Sequence, residues 1–128
     1  MIKSYLLIGL GGALGAIMRY SISGWVQRLW QASIFPFGTL VVNIFGCLLI
    51  GLLSQLAESR NAFPPETRVF LFIGVLGGFT TFSTFGNESF NLFRDGQNLS
   101  AFANLFFHIF LGLSAIWLGR YLAGWIWR

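Results

Sequence analysis

The chain is predicted to be an all-α, polytopic membrane protein with four transmembrane helices in a single domain, residues 1–128. Hydrophobic residues make up 55% of it and charged residues only 9%, with a mean hydropathy of +0.72. A soluble domain needs about a quarter charged residues to keep its exterior wetted. The twelve charged side chains also divide the sequence, leaving uncharged stretches at 4–18, 29–57, 69–87 and 96–119. A hydrocarbon core about 30 Å thick is crossed by about 20 helical residues, so each stretch carries one span.

The first helix is expected near 3–30, long or tilted. Its start resembles a signal peptide, with Lys3 before an apolar run, but no A-x-A cleavage signal follows and the segment is read as retained. Pro36 opens a second helix near 36–58. The polar stretch from Glu58 to Arg68, with Pro64-Pro65, is the obvious loop before a third helix near 67–94. Arg94-Asp95-Gly96-Gln97-Asn98 forms the turn to a fourth helix near 99–127. Trp25, Trp30, Trp125 and Trp127 lie near helix ends, where indole rings settle at the membrane interface.

Four spans put both termini and the 58–68 loop on one side. Lys3, Arg60, Arg68, Arg120 and Arg128 share that face, against Arg19, Arg28 and Arg94 opposite. So weak a charge bias is compatible with insertion in both orientations as well as with termini inside. The net charge of +4 is dispersed and forms no patch, which excludes nucleic acid and favours lipid headgroups. Cys47 is the sole cysteine, so no disulfide forms within the chain.

Small residues recur at packing intervals: Gly11 with Gly15, Gly12 with Ala16, and Ala115 with Gly119 and Ala123. Such faces bring membrane helices close, within one chain or between two.

The third span departs most from a plain lipid-facing helix. It contains Gly77-Gly78-Phe79-Thr80-Thr81-Phe82-Ser83-Thr84-Phe85. Paired glycines and β-branched threonines poise the backbone to unwind near mid-span, and carbonyls freed in hydrocarbon must be met by protein, water or an ion. Phe82 and Phe85 are spaced i, i+3 and so share a face, either as core packing or as ring edges along an anion route. Asn43, alone in an apolar run, reads as interhelical glue or as pore lining. Arg19 is suited to attracting an anion or to snorkelling towards headgroups. Glu88 and His108 are the other ionisable groups within spans, and one His with one Cys cannot build a metal centre. No nucleophile, base and orienting group can be assembled, so an enzyme is disfavoured.

The third-helix array, with Gly38-Thr39-Leu40-Val41-Val42-Asn43 on the second helix and Gly11-Gly12-Ala13-Leu14-Gly15-Ala16 then Arg19 on the first, resembles the Fluc fluoride channels, also called the CrcB family. The resemblance implies a passive, fluoride-selective channel of the cell (inner or plasma) membrane that lets cytoplasmic fluoride leave. It implies antiparallel, dual-topology homodimers with two pores. It places the third-helix break at the dimer centre, around a structural Na⁺ held by the main-chain carbonyls of Gly77 and Thr80. Phe82 and Phe85 are then the pore phenylalanines, Asn43 a nearby donor and Arg19 a vestibule residue, with Thr39, Ser83 and Thr84 further along the polar path. The fourth helix departs from the family, because alignment through His108 puts Gly112 and Ile116 where hydroxyls belong; Ser114 is present on another face. Two other classes compete: a small proton-coupled multidrug exporter, which needs a central carboxylate that residues 4–30 lack, and a non-transporting assembly subunit.

Overall fold

A computed structural model describes residues 1–126; Trp127 and Arg128, named above for their interfacial and topogenic roles, lie outside the described residues. Four helical segments are long and apolar enough to cross a membrane, Ile2–Leu29, Phe37–Arg60, Pro65–Arg94 and Asn98–Ile126, and the described residues contain no strand. The first, second and fourth are the uninterrupted helices α1 (Ile2–Leu29), α2 (Phe37–Arg60) and α6 (Asn98–Ile126). The expected boundaries are met within two residues. Pro36 precedes α2 rather than opening it, and the N–H of Gly38 is satisfied by Gln27 Oε1 at 3.1 Å, a link from α1. After α2, Asn61 takes a left-handed conformation (φ 47°), and Arg68 ties the loop down by donating to the carbonyls of Ala57 and Phe63 at 3.1 Å each.

The third span is composite. It consists of α3 (Pro65–Arg68), a π-helical segment (Val69–Leu76), α4 (Gly77–Phe79) and α5 (Phe82–Arg94). The π-helical turns were not expected, because every residue from Val69 to Leu76 is apolar or Gly and an all-apolar run carries no period to read. Gly96, at φ 75°, supplies the left-handed residue that turns the chain from α5 into α6.

Ion pairs fix which ends meet. Lys3 Nζ lies 3.2 Å from Glu66 Oε1, and Arg120 pairs with Glu58. The start of α1, the end of α2, the start of the third span and the last turns of α6 therefore lie at one end, as an even number of spans requires. Trp25, Trp30 and Trp125 are exposed near helix ends.

The largest interfaces are α2 with α6 and α1 with the π-helical segment. Both are built on small residues within the chain. A Cβ on Gly119 would run into the Leu48 carbonyl, one on Gly51 into that of Ile116, and one on Gly15 into that of Val75. Gly78, expected to help unwind the span, is instead helical, and a Cβ there would stand 2.5 Å from the Gly12 carbonyl oxygen. Its role is close approach. Gly15→Ala is accordingly expected to lower stability by about 1–3 kcal/mol in detergent melts. Gly9→Ala, where a Cβ meets nothing within 4 Å, should leave the melting point unchanged or raise it.

Candidate functional site

The helix ends at Phe79, with the Thr80 N–H still donating to the Leu76 carbonyl at 3.0 Å, and resumes at Phe82, across Thr80 (φ −88°, ψ 156°) and Thr81 (φ −152°, ψ 112°). The extended residues are the β-branched pair, whose side chains suit extended backbone, rather than the glycines before it. Gly46 makes room for them: a Cβ there would collide with the Thr80 methyl group.

Two side chains replace the lost ladder. Asn43 Oδ1 accepts from the Thr81 N–H at 2.8 Å, while Asn43 Nδ2 donates to the Thr81 carbonyl at 3.0 Å. One amide thus satisfies both peptide groups of an extended residue that nothing local can serve. Thr81 Oγ1 accepts from the Thr84 N–H at 3.2 Å and caps α5. In a continuous helix the Thr81 and Thr84 N–H groups would bond the carbonyls four residues earlier, those of Gly77 and Thr80. Both donors are diverted, so those two carbonyl oxygens lose their helical partners.

Cavities flank the break on two sides. The larger, about 410 Å³, is lined by Asn43, Gly77, Thr80, Thr81, Phe82, Phe85 and His108, with Cys47 and aliphatic residues. The smaller, about 210 Å³, is lined by Arg19, Thr39, Thr81 and Thr84 with Ala16, Tyr20, Ser23 and Val42. Thr81 borders both. Each side retains an unused donor: Asn43 Nδ2 has a second hydrogen, and the Thr84 hydroxyl, which accepts from Thr81 Oγ1 at 2.9 Å, keeps its own. Arg19 joins no ion pair among the described residues.

Phe82 and Phe85 meet edge to face, with centroids 5.5 Å apart and planes at 70°. Their environments differ. Phe82 is 82% exposed in the single chain and Phe85 only 6%. Phe79, the neighbouring aromatic, is 2% exposed and packs edge-on against Phe45, so it belongs to the core. Thr39 donates to Glu88 Oε1 at 2.6 Å, joining α2 to α5 beside the smaller cavity.

Most of the predicted residues converge on the break. Ser83 does not: it is exposed and borders neither cavity. Ser114 is likewise exposed, beside Leu113, Trp117 and Leu118, and Gly112 packs against Cys47. Asn104 was missed. It is fully buried on α6 and donates to Ser89 Oγ at 2.9 Å, and Ser89 in turn donates to the Phe85 carbonyl at 2.9 Å. The signal that singled out Asn43, an amide inside an apolar span, applied to it equally. The described residues hold no cluster of three His, Cys, Asp or Glu side chains placed for a metal ion.

The family model described as "CrcB-like protein, Camphor Resistance (CrcB)" matches residues 6–120. The chain belongs to the CrcB family. The match takes in the break, both cavities and all four spans of this CrcB protein. It is 46% identical over 115 residues to fluoride-specific ion channel FluC 1 of Methanosarcina acetivorans, covering 90% of this chain and 86% of the relative. It is 47% identical over 119 residues to fluoride-specific ion channel FluC of Parabacteroides distasonis, covering 93% and 91%. Over 121 residues it is 44% identical to fluoride-specific ion channel FluC of Chlorobium chlorochromatii, covering 94% and 92%. As a CrcB-family chain with four spans it is a multi-pass membrane protein and not an enzyme.

Proposed function

We propose that this chain forms a passive, fluoride-selective channel in the cell membrane. The observation that carries this reading is the clamped break: Asn43 holds Thr81 extended so that weak donors and two phenylalanine rings stand together between cavities on either side. Fluoride is small and strongly hydrated. A narrow path must replace its water without a permanent positive charge at the constriction that would hold it. The spare hydrogens of Asn43 and Thr84 and the positive edges of Phe82 and Phe85 meet that need, because each contact is favourable and none is strong. Arg19, in the smaller cavity, supplies a permanent cation at the mouth of the route and concentrates anions there.

The functional unit in this reading is an antiparallel homodimer of dual topology. Two things support it: the near balance of basic residues between the faces, and the exposure of Gly77 and Phe82 when the chain stands alone. A two-fold axis beside the break brings the Gly77 and Thr80 carbonyls of both copies together. Four neutral, hard oxygens released from helical bonding suit a structural Na⁺, which would pin the two breaks in place by electrostatic attraction. The residues present fit that ion, and it is not the ion conducted.

Purified protein in liposomes is expected to release fluoride, and not chloride, down an imposed gradient, as followed by ion-selective electrodes. Equal release of both halides, or release of neither, would overturn the reading.

A further inference from the structure

No hydroxyl of α6 lines the larger cavity; that helix presents Ile109, Ile116 and His108 to it. The His108 ring borders the cavity and stacks on Phe85 with centroids 4.1 Å apart and planes at 28°. The two ring nitrogens have different duties. Nδ1 lies 3.0 Å from the Asn104 carbonyl oxygen, and a carbonyl only accepts, so Nδ1 carries the hydrogen of the neutral ring. Nε2 then bears a lone pair, and it is buried with no partner. The ring is also held in place, since Asn104 is tied through Ser89 to the Phe85 carbonyl. An enclosed acceptor without a donor is costly, and a proton alone would leave an enclosed donor without an acceptor; a proton and an anion together satisfy the position.

No fixed charge competes with that proton inside the cavity. From α2 the only titratable group there is the Cys47 thiol, and the π-helical segment and α4 contribute Phe72, Leu76 and Gly77. On α5 the nearest acidic group is Glu88, whose Oε1 is turned to Thr39, while its Oε2 is buried without a partner. On α6 itself, Arg120 is three turns away and engaged with Glu58. Arg19 borders the other cavity.

We infer that His108 is a proton-controlled anion subsite beside the Phe82–Phe85 pair. Neutral, it turns a lone pair to any halide and repels it. Protonated, it offers an Nε2–H donor and a positive charge, itself favoured by the face of Phe85 against which it lies. Fluoride binding and proton binding at this ring are therefore mutually reinforcing. The identity of the anion rests on the channel reading.

His108 is the only histidine in the chain, so nitrogen-15 NMR of histidine-labelled protein in lipid reports this ring alone. At a pH where the ring is partly protonated in sodium gluconate, an equal concentration of sodium fluoride is expected to raise the imidazolium fraction, and sodium chloride to raise it less. An unchanged spectrum, or an equal rise with both halides, would overturn the inference. In liposomes at subsaturating fluoride, after subtraction of protein-free vesicles, efflux should be at least about threefold faster at a pH of about 6 than of about 8. His108→Gln, which keeps a polar side chain but takes up no proton, should make efflux insensitive to pH. Equal pH dependence in both proteins, or none in the native one, sinks the subsite and leaves the channel standing. No fluoride efflux at either pH counts against the channel instead, and the NMR result then decides the subsite by itself.

Discussion

Asn43→Leu is expected to abolish fluoride efflux, to below about 1% of the native rate, and to destabilise the fold by about 2–6 kcal/mol, because two part-buried peptide groups lose their partners at about 1–3 kcal/mol each. The side chain is nearly isosteric, so lost packing is not the cause. What goes is the pair of bonds to Thr81, at 2.8 and 3.0 Å. Without them the Thr81 N–H returns to the Gly77 carbonyl, the only local acceptor a helix provides, and the break closes. Asn43→Asp separates the two duties. It keeps an acceptor for the Thr81 N–H but loses the donor to the carbonyl and sets a negative charge beside the route. It should melt between native and Leu yet pass as little fluoride as Leu. Melting followed by size-exclusion chromatography, with liposome efflux, distinguishes these outcomes; a Leu variant that folds and conducts normally would show the clamp to be dispensable.

Phe82→Ile should slow fluoride efflux at least about tenfold while changing the stability of the chain by no more than about 0.5 kcal/mol, as befits an exposed position. Phe79→Ile should do the reverse. That ring is buried against Phe45 at 6.2 Å, and shortening it leaves a void costing about 1–3 kcal/mol, with efflux per folded protein near native. Both substitutions remove one aromatic ring three residues apart in the same motif, so aromatic content alone cannot account for a difference between them. Equal slowing by the two, normalised to folded protein, would return Phe82 to ordinary packing.

The two phenylalanines show what a motif conveys and what it withholds. The spacing of Phe82 and Phe85 put them on one face, and they do border one cavity. Phe79 faces the core from α4, before the break, whereas that Ser83 borders neither cavity depends on where α5 restarts after two extended residues, which resets the helical phase. Asn104 shows the same limit from the other side: its chemistry was as visible as that of Asn43, but its partner Ser89 lies on a different helix.

The sequence by itself determined the four spans, the meeting of the start of α1 and the last turns of α6 with the 58–68 loop at one end, and the small set of polar side chains available inside the membrane. These follow from hydropathy and charge, which are properties of single residues summed over a window. Only the tertiary structure decided which backbone groups are released. Gly77-Gly78 and Thr80-Thr81 together looked like the weak stretch, yet Gly78 is helical because its missing Cβ admits Gly12 of α1, and the chain opens at Thr80–Thr81 alone because an amide 38 residues earlier competes for the Thr81 peptide. Such a competition is won by distance in space between two helices, and no local period in the chain records it.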